Sequence, residues 1–285
     1  MLVTVGDLAT DLVVRLATAE IDPVSDTPAA VSVHRGGAAA NVAAVTAHLG
    51  RPARFVGALG EDELSRGAAA ALSALGVEVS GPRARRGWSI VVLVDPDGGR
   101  RFLTDTGDVD TWPAPDPSWL DGATRVHLSG YALCNERSVD ACRQLADAAE
   151  QRQVPCSVDV ASASVVRAWG VDRFRRLLDD IGPDVVKANE DEAALLGGDW
   201  GARDPVVVTT RGSGPTTVAG RGHEATVTVP PVGVVDTTGA GDAFVAGFLA
   251  AWDERREPLA AIEAGHAAAA RVVTGVGADW WEDVP

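Results

Sequence analysis

Lysine is nearly missing from this chain of 285 residues: Lys187 is the only one. A Walker-type phosphate loop needs a lysine behind a run of glycines, and Lys187 follows an apolar stretch without any. Phosphate held here is therefore expected to rest mainly on backbone N–H groups and a divalent metal. Basic charge is scarce as a whole, with 25 Lys plus Arg against 40 Asp plus Glu and a formal net charge of -15. That field repels a nucleic-acid backbone or an anionic membrane surface, so neither is expected as a partner. Cysteine is limited to Cys134, Cys142 and Cys156, odd in number and without a C-x-x-C pair. This pattern excludes a disulfide framework and points to inert thiols in a reducing compartment. No apolar run approaches the ~20 residues of a membrane span. The opening MLVTVGDLATDLVV lacks a basic leader and a small-residue cleavage site, so a soluble, cytoplasmic protein is expected.

What the chain does have is apolar bulk, 46% of its residues, enough for one large core. Short apolar strands at 2–5, 53–56, 125–128, 156–158, 185–187 and 206–209 alternate with helical stretches. Those stretches are 40–49, 64–75, 138–152, 170–180, 190–196, 240–252 and 258–272. Such alternation predicts βαβ units and a doubly wound, mostly parallel sheet covered on both faces. Two segments break it. Residues 88–94 and 100–103 flank the turn Asp95-Pro96-Asp97-Gly98-Gly99, and residues 12–34 lack a helical period. Both are expected to form a small β-sheet beside the core, from about 12–35 and 86–105 of a single domain spanning 1–285.

Gly239-Ala240-Gly241-Asp242 stands just before the apolar helical run 243–252. Small residues leave N–H groups uncovered where a helix begins, and the helix dipole favours an anion there. Asp242 cannot itself bind phosphate, but it can accept a proton from a hydroxyl that attacks one. A helix start with packing glycines and a stabilising acid fits the same four residues. A dinucleotide fingerprint does not fit, since G-x-G-x-x-G needs glycine where Phe244 stands. Far upstream, Gly36-Gly37-Ala38-Ala39-Ala40-Asn41 opens the first helix, and Asp11 follows the first strand. Asn41 is either a bidentate amide for a ligand or a helix cap. Asp11 is either an acceptor for two polyol hydroxyls or a turn former.

Gly36 to Gly60, with Asn41 and Gly50 between, and Asp236 to Leu249 resemble the two motifs of the ribokinase-like (PfkB-type) carbohydrate kinase family. The motifs stand in the right order, and the resemblance runs from Gly6 to about Gly277. It implies a ribokinase-like α/β core with a β-sheet lid. It also implies ATP- and Mg2+-dependent phosphorylation of a hydroxyl, a primary one, on a sugar, sugar acid or related polyol. By the same resemblance Asp242 is the base, and the amides of Gly239, Ala240 and Gly241 form the anion hole. Asp11, Gly37, Asn41 and Tyr131 face the acceptor together with Asp242. Asn189, Thr210, Gly212, Gly241 and His266 face ATP, and Glu192 acts on the magnesium through water. His266 stands where a polar side chain borders the adenine, and a packed histidine fits it equally. Asp236, Thr238, Val272, Gly275 and Gly277 match a monovalent-cation loop that would take K+.

The departures concern the acceptor. Ribose-directed members carry Asn, Lys and Glu where this chain has Ala9, Ala38 and Tyr131, and losing three polar partners argues against ribose. Pro215 replaces a glycine that the family usually has in its nucleotide loop. A nucleoside kinase of the same fold is the nearest alternative. A catalytically silent sugar- or nucleotide-sensing protein is the alternative from another class. A lid sheet with an open apolar face implies a homodimer that pairs lids across a two-fold axis.

Overall fold

The first half of the chain runs β1 (Leu2–Val5), β2 (Ala9–Leu16), β3 (Ala29–Gly36), α1 (Ala38–His48), β4 (Ala53–Val56) and β5 (Leu59–Gly60). It continues through α2 (Glu63–Ala74), β6 (Glu78–Ser80), β7 (Arg83–Ala84), β8 (Trp88–Val94) and β9 (Arg100–Asp105). The second half runs β10 (Arg125–Ser129), α3 (Gly130–Leu133), α4 (Val139–Gln151), β11 (Cys156–Asp159), α5 (Ala163–Trp169) and α6 (Val171–Ile181). Then come β12 (Val185–Asn189), α7 (Glu190–Leu196), β13 (Val206–Arg211), β14 (Gly214–Gly220), β15 (His223–Val227), α8 (Ala240–Arg255) and α9 (Pro258–Val272). The computed structural model describes residues 1–198, 200–201 and 203–275.

Nine strands form one sheet in the order β15-β14-β13-β12-β11-β10-β1-β4-β6. From β13 to β6 every neighbouring pair is parallel, while β14 and β15 extend the β13 edge in antiparallel fashion. Parallel strands need helical crossovers on their faces, which is why all residues of β1 and β10 are buried. On one face Val3, Val126, Leu128 and Val158 pack with Leu145 of α4 and Phe174 of α6. On the other, Leu2, Val206 and Val208 pack with Val45 of α1, Phe248 of α8 and Ile262 of α9. Helix α8 is apolar nearly all round, burying Phe244, Val245, Phe248, Leu249 and Trp252, and it lies between α1 and α9. Strand numbers climb from β1 through β4 to β6 on one side and from β10 to β13 on the other. The reversal between β1 and β10 is a topological switch point, where open α/β sheets hold their ligands.

The segments that break the alternation form a separate four-stranded sheet, β3-β2-β8-β9. Strands β8 and β9 begin at 88 and 100 as expected, but β2 begins at Ala9, before the expected 12. Asp11 therefore sits within β2, paired with His34 and Ile90, and is not a turn former. The helix expected at 170–180 is α6, and a further helix, α5, precedes it and meets it at Gly170.

A buried ion cluster ties the sheet to α8. Arg125, at the start of β10, is 0% exposed and donates to Asp184 at 2.9 Å and to Asp253 of α8 at 2.8 Å. Burial raises the Asp184 carboxyl, but Arg125 and then Arg256 outweigh it and hold its pKa below the ordinary aspartate value. Removing the guanidinium leaves two acids facing each other with only Arg256 nearby. Arg125→Met is therefore expected to lose about 3–5 kcal/mol in denaturant unfolding at neutral pH. A carboxyl with depressed pKa contributes stability that is lost as pH falls through its folded value. The gap between wild type and variant should accordingly narrow below the ordinary aspartate range.

Candidate active site

The carboxyl ends of the parallel strands supply the polar groups. Asp7 leaves β1 and accepts from Ser129 Oγ, at the end of β10, at 3.3 Å, and from the Ala38 N–H at 2.9 Å. The start of α1 is thereby fastened to the switch point. Burial pushes the Asp7 carboxyl above the ordinary value. Gly37 caps α1 with φ 99°, and a Cβ there would lie 2.4 Å from the Asp7 carbonyl oxygen. Only glycine lets the chain turn into the helix so close to β1.

Asn41 lies inside α1, so it is not the helix cap; its side chain works across the fold. Its Nδ2 donates to Asp242 Oδ2 at 2.8 Å, and its Oδ1 accepts from Arg35 Nη1 at 2.7 Å. A guanidinium only donates, so Arg35 sets which way the amide points and aims the NH2 at Asp242. The Asp242 carboxyl is pushed up to about 7, first by loss of solvation, with the Asn41 bond pulling the other way. Gly239 precedes α8 with φ 77°. Among the described residues, the Ala240 N–H donates to the Thr237 carbonyl at 3.2 Å, whereas the Gly239 and Gly241 N–H groups have no acceptor. Two of the three expected anion-hole amides are thus open.

The residue that sequence reasoning set aside stands beside them. Lys187 on β12 is 9% exposed, and its Nζ is 3.2 Å from each carboxylate oxygen of Asp159 on β11. A Cβ built on Gly241 would lie 3.3 Å from that ammonium. Burial disfavours the charge, but Asp159, Glu192 and Asp242 outweigh it and hold Lys187 above the usual lysine value. A strand-borne lysine leaves no glycine-rich signature, and Asp159 had no motif to announce it. Tyr131 is half-buried nearby, its phenol pushed up to about 12 by burial and then by Asp7, Asp242, Asp159 and Glu192. Next to it Asp7, Trp88, Trp112 and Asn135 enclose a cavity of only about 20 Å³. Asp11 lies over Gly36, where a Cβ would be 2.5 Å from both carboxylate oxygens.

A second cavity, about 690 Å³, opens on the other side of the first turn of α8. Thr210, Gly212, Gly241, Phe244 and His266 all line it, with mostly apolar company from Pro230 to Val234. His266 Nε2 is 2.9 Å from Thr216 Oγ1, and its ring leans on Phe244 with centroids 5.6 Å apart. The histidine is therefore packed and still borders the cavity. Asn189 and Glu192 form a capping box for α7. The Asn189 N–H and Nδ2 each donate to Glu192 at 2.7 Å, and the Glu192 N–H donates to Asn189 Oδ1 at 2.9 Å. Glu192 is 0% exposed, and burial raises its pKa while Lys187 opposes the rise.

In the expected cation loop a side chain engages Asp236 and the Thr238 hydroxyl. Arg100, at the start of β9 in the small sheet, donates to Asp236 Oδ1 at 2.8 Å and to Thr238 Oγ1 at 2.9 Å. The Thr238 N–H also donates to Asp236 Oδ1 at 2.8 Å, and the Val272 carbonyl accepts from Gly275 at 3.2 Å. Gly277 lies outside the described residues.

Comparison with known proteins agrees with this architecture. A fructokinase from Klebsiella pneumoniae is 31% identical over 260 residues, 82% of this chain and 82% of its own. An aminoimidazole riboside kinase from Salmonella typhimurium is 30% identical over 235 residues, 75% of this chain and 72% of its own. The solved structure of a ribokinase from Thermotoga maritima superposes with a TM-score of 0.78 at 20% identity, covering 100% of this chain and 96% of that one. The fold is thus ribokinase-like. The family model described as pfkB family carbohydrate kinase matches residues 1–281, and the chain belongs to that family.

Proposed function

We propose that this kinase transfers the terminal phosphoryl group of ATP to a primary hydroxyl of a compact sugar, sugar acid or polyol, with Asp242 as general base. One observation carries the reading. A carboxyl whose pKa lies at about 7 is aimed by Asn41 and stands in the same helical turn as two open amides. The acceptor hydroxyl gives its proton to Asp242 as its oxygen attacks phosphorus in line, with no phosphoenzyme. The Gly239 and Gly241 amides receive charge on the transferred group. Asp11, Gly37, Asn41 and Tyr131 face the acceptor in this reading. The 690 Å³ cavity, with Thr210, Gly212 and His266, takes the nucleotide.

Mg2+ arriving with the nucleotide would neutralise phosphate charge there. Among the described residues no group of three or more His, Cys, Asp or Glu side chains is placed to hold a metal directly. Glu192, its oxygens bonded to Asn189, fits contact through water rather than direct ligation. K+ at Asp236 does not fit, because the Arg100 guanidinium already supplies the positive charge and a second cation would be repelled. The same contact brings the small sheet against the loop before α8. In this reading the sheet is a lid that excludes water from the reacting groups.

The space between Tyr131, Trp88 and Trp112 is narrow, about 20 Å³. This favours a compact acceptor. A nucleoside acceptor is the second reading, supported by those aromatic faces and by the likeness to the riboside kinase. An ATP-coupled panel of sugars, sugar acids and nucleosides separates the two. Turnover confined to nucleosides would overturn the first.

Val31, Val33, Phe102 and Leu103 on the edge strands of the small sheet are exposed, which supports a homodimer through that sheet. A monomeric mass at micromolar concentration would count against it. Among the described residues no helix is long and apolar enough to cross a membrane. The thiols of Cys134, Cys142 and Cys156 are free, and burial pushes each up to about 12, which makes them inert.

Asp242→Asn is expected to lower kcat by about 10³-fold or more while ATP affinity, read by calorimetry, stays within about threefold. For wild type, kcat/KM should rise with pH to a plateau with a midpoint at about 7, where the base loses its proton. Asn41 favours the charged carboxylate, so Asn41→Ala should move that midpoint to higher pH; a move to lower pH would contradict the assignment. Exchanging K+ for a bulky organic cation at constant ionic strength should change the rate by less than about twofold.

A further inference from the structure

The only lysine of the chain has no part in the mechanism so far. Its ammonium lies against Gly241, in the first turn of α8, close enough that any Cβ there would be 3.3 Å away. The amino end of a helix carries partial positive charge, so an ammonium beside it is unfavourable unless anions stand close. Asp159 is one such anion, with both oxygens 3.2 Å from Nζ. An ammonium has three donors, and among the described residues Asp159 is its only hydrogen-bond partner. The Gly239 and Gly241 amides next to it have no acceptor among those residues either. A cation, a helix start and two open amides converge on one spot, and all of them favour an anion. A purely structural explanation is weak, since a buried ion pair seldom improves on well-packed apolar side chains.

We propose that Lys187 is a catalytic residue that donates a hydrogen bond to a non-bridging oxygen of the phosphoryl group being transferred. This inference rests on the kinase reading of the α8 turn. Lys187 transfers no proton. The acceptor oxygen forms its bond to the terminal phosphorus, the bond from that phosphorus to the bridging oxygen breaks, ADP leaves with the electron pair, and the hydroxyl proton goes to Asp242. The ammonium offsets the repulsion that Asp242 and Asp159 exert on an arriving phosphate, and charge-assisted bonds of this kind are the stronger sort. Asp159 holds the ammonium in place between turnovers.

ATP and ADP differ by the group that Lys187 would touch, so their relative affinity tests the contact without turnover. Calorimetry on full-length Lys187→Met should show ATP affinity reduced about tenfold or more and ADP affinity changed by less than about threefold. With a working acceptor, kcat should fall about 100-fold or more while the acceptor KM stays within about threefold. An unchanged ratio of ATP to ADP affinity together with kcat within about threefold of wild type would overturn the inference. If the single variant does not fold, the charge-free pair Lys187→Met with Asp159→Leu must lose the same ATP preference. Should wild type phosphorylate nothing while Lys187→Met still loses its preference for ATP, the role given to Asp242 falls and the phosphoryl contact stands. Should wild type turn over and the variant keep both rate and ratio, only the Lys187 inference falls.

Discussion

One hydrogen bond, from Asn41 to Asp242 at 2.8 Å, joins residues 201 positions apart, and the geometry of the site depends on it. It exists because α1 and α8 lie side by side on one sheet face and begin at the same end. Val42 and Val45 of α1 pack with Phe244 and Phe248 of α8, while alanines at 39, 40, 43 and 44 keep the side of α1 toward β4 and α2 thin. The partners of the bond are themselves fixed. Arg35, from the small sheet, holds the amide from behind, and Asp7 anchors the start of α1 to the switch point. The carboxylate direction is therefore set jointly by α1, the small sheet and the loop after β1.

Around that bond the charges form a balanced set. Asp7, Asp159, Glu192 and Asp242 all raise the Tyr131 phenol, so they share a single basin. Lys187 is the cation on the sheet side, and Arg35 and Arg100 approach from the small sheet. Three cations, Lys187, Arg35 and Arg100, thus stand among these four acids where the proposed reaction would handle an anion, although the net charge of the chain is -15.

Much of this was legible in the sequence. The alternation of short apolar strands with helices predicted the parallel sheet because strands buried on both faces carry no polar interruptions. Gly37, Asn41 and Asp242 were readable because a helix start leaves a local signature of glycine and first-turn polar residues. What stayed hidden has long-range causes. The β14–β15 hairpin buries only Thr216 and Val218, leaving too little apolar contrast to stand out. Lys187 and Asp159 look like ordinary strand residues until neighbouring strands place them together. The role of Arg100 depends on a contact with Asp236 across 136 residues, which no local pattern encodes. Asn189 caps α7 and Glu192 completes the capping box, a contact between residues only three apart.

The single lysine also shapes how this protein meets its surroundings. Since Lys187 is sealed within the site, the outer surface carries its positive charge on guanidinium groups instead of lysine ammonium groups. Guanidinium groups stay protonated up to about pH 12, so the cationic half of the surface does not titrate in the alkaline range where lysine-rich proteins lose theirs. Cross-linkers, dyes and supports that react with lysine side chains find no exposed target on the molecule. A reagent that reached Lys187 would label a single lysine, and that lysine lies in the candidate site itself.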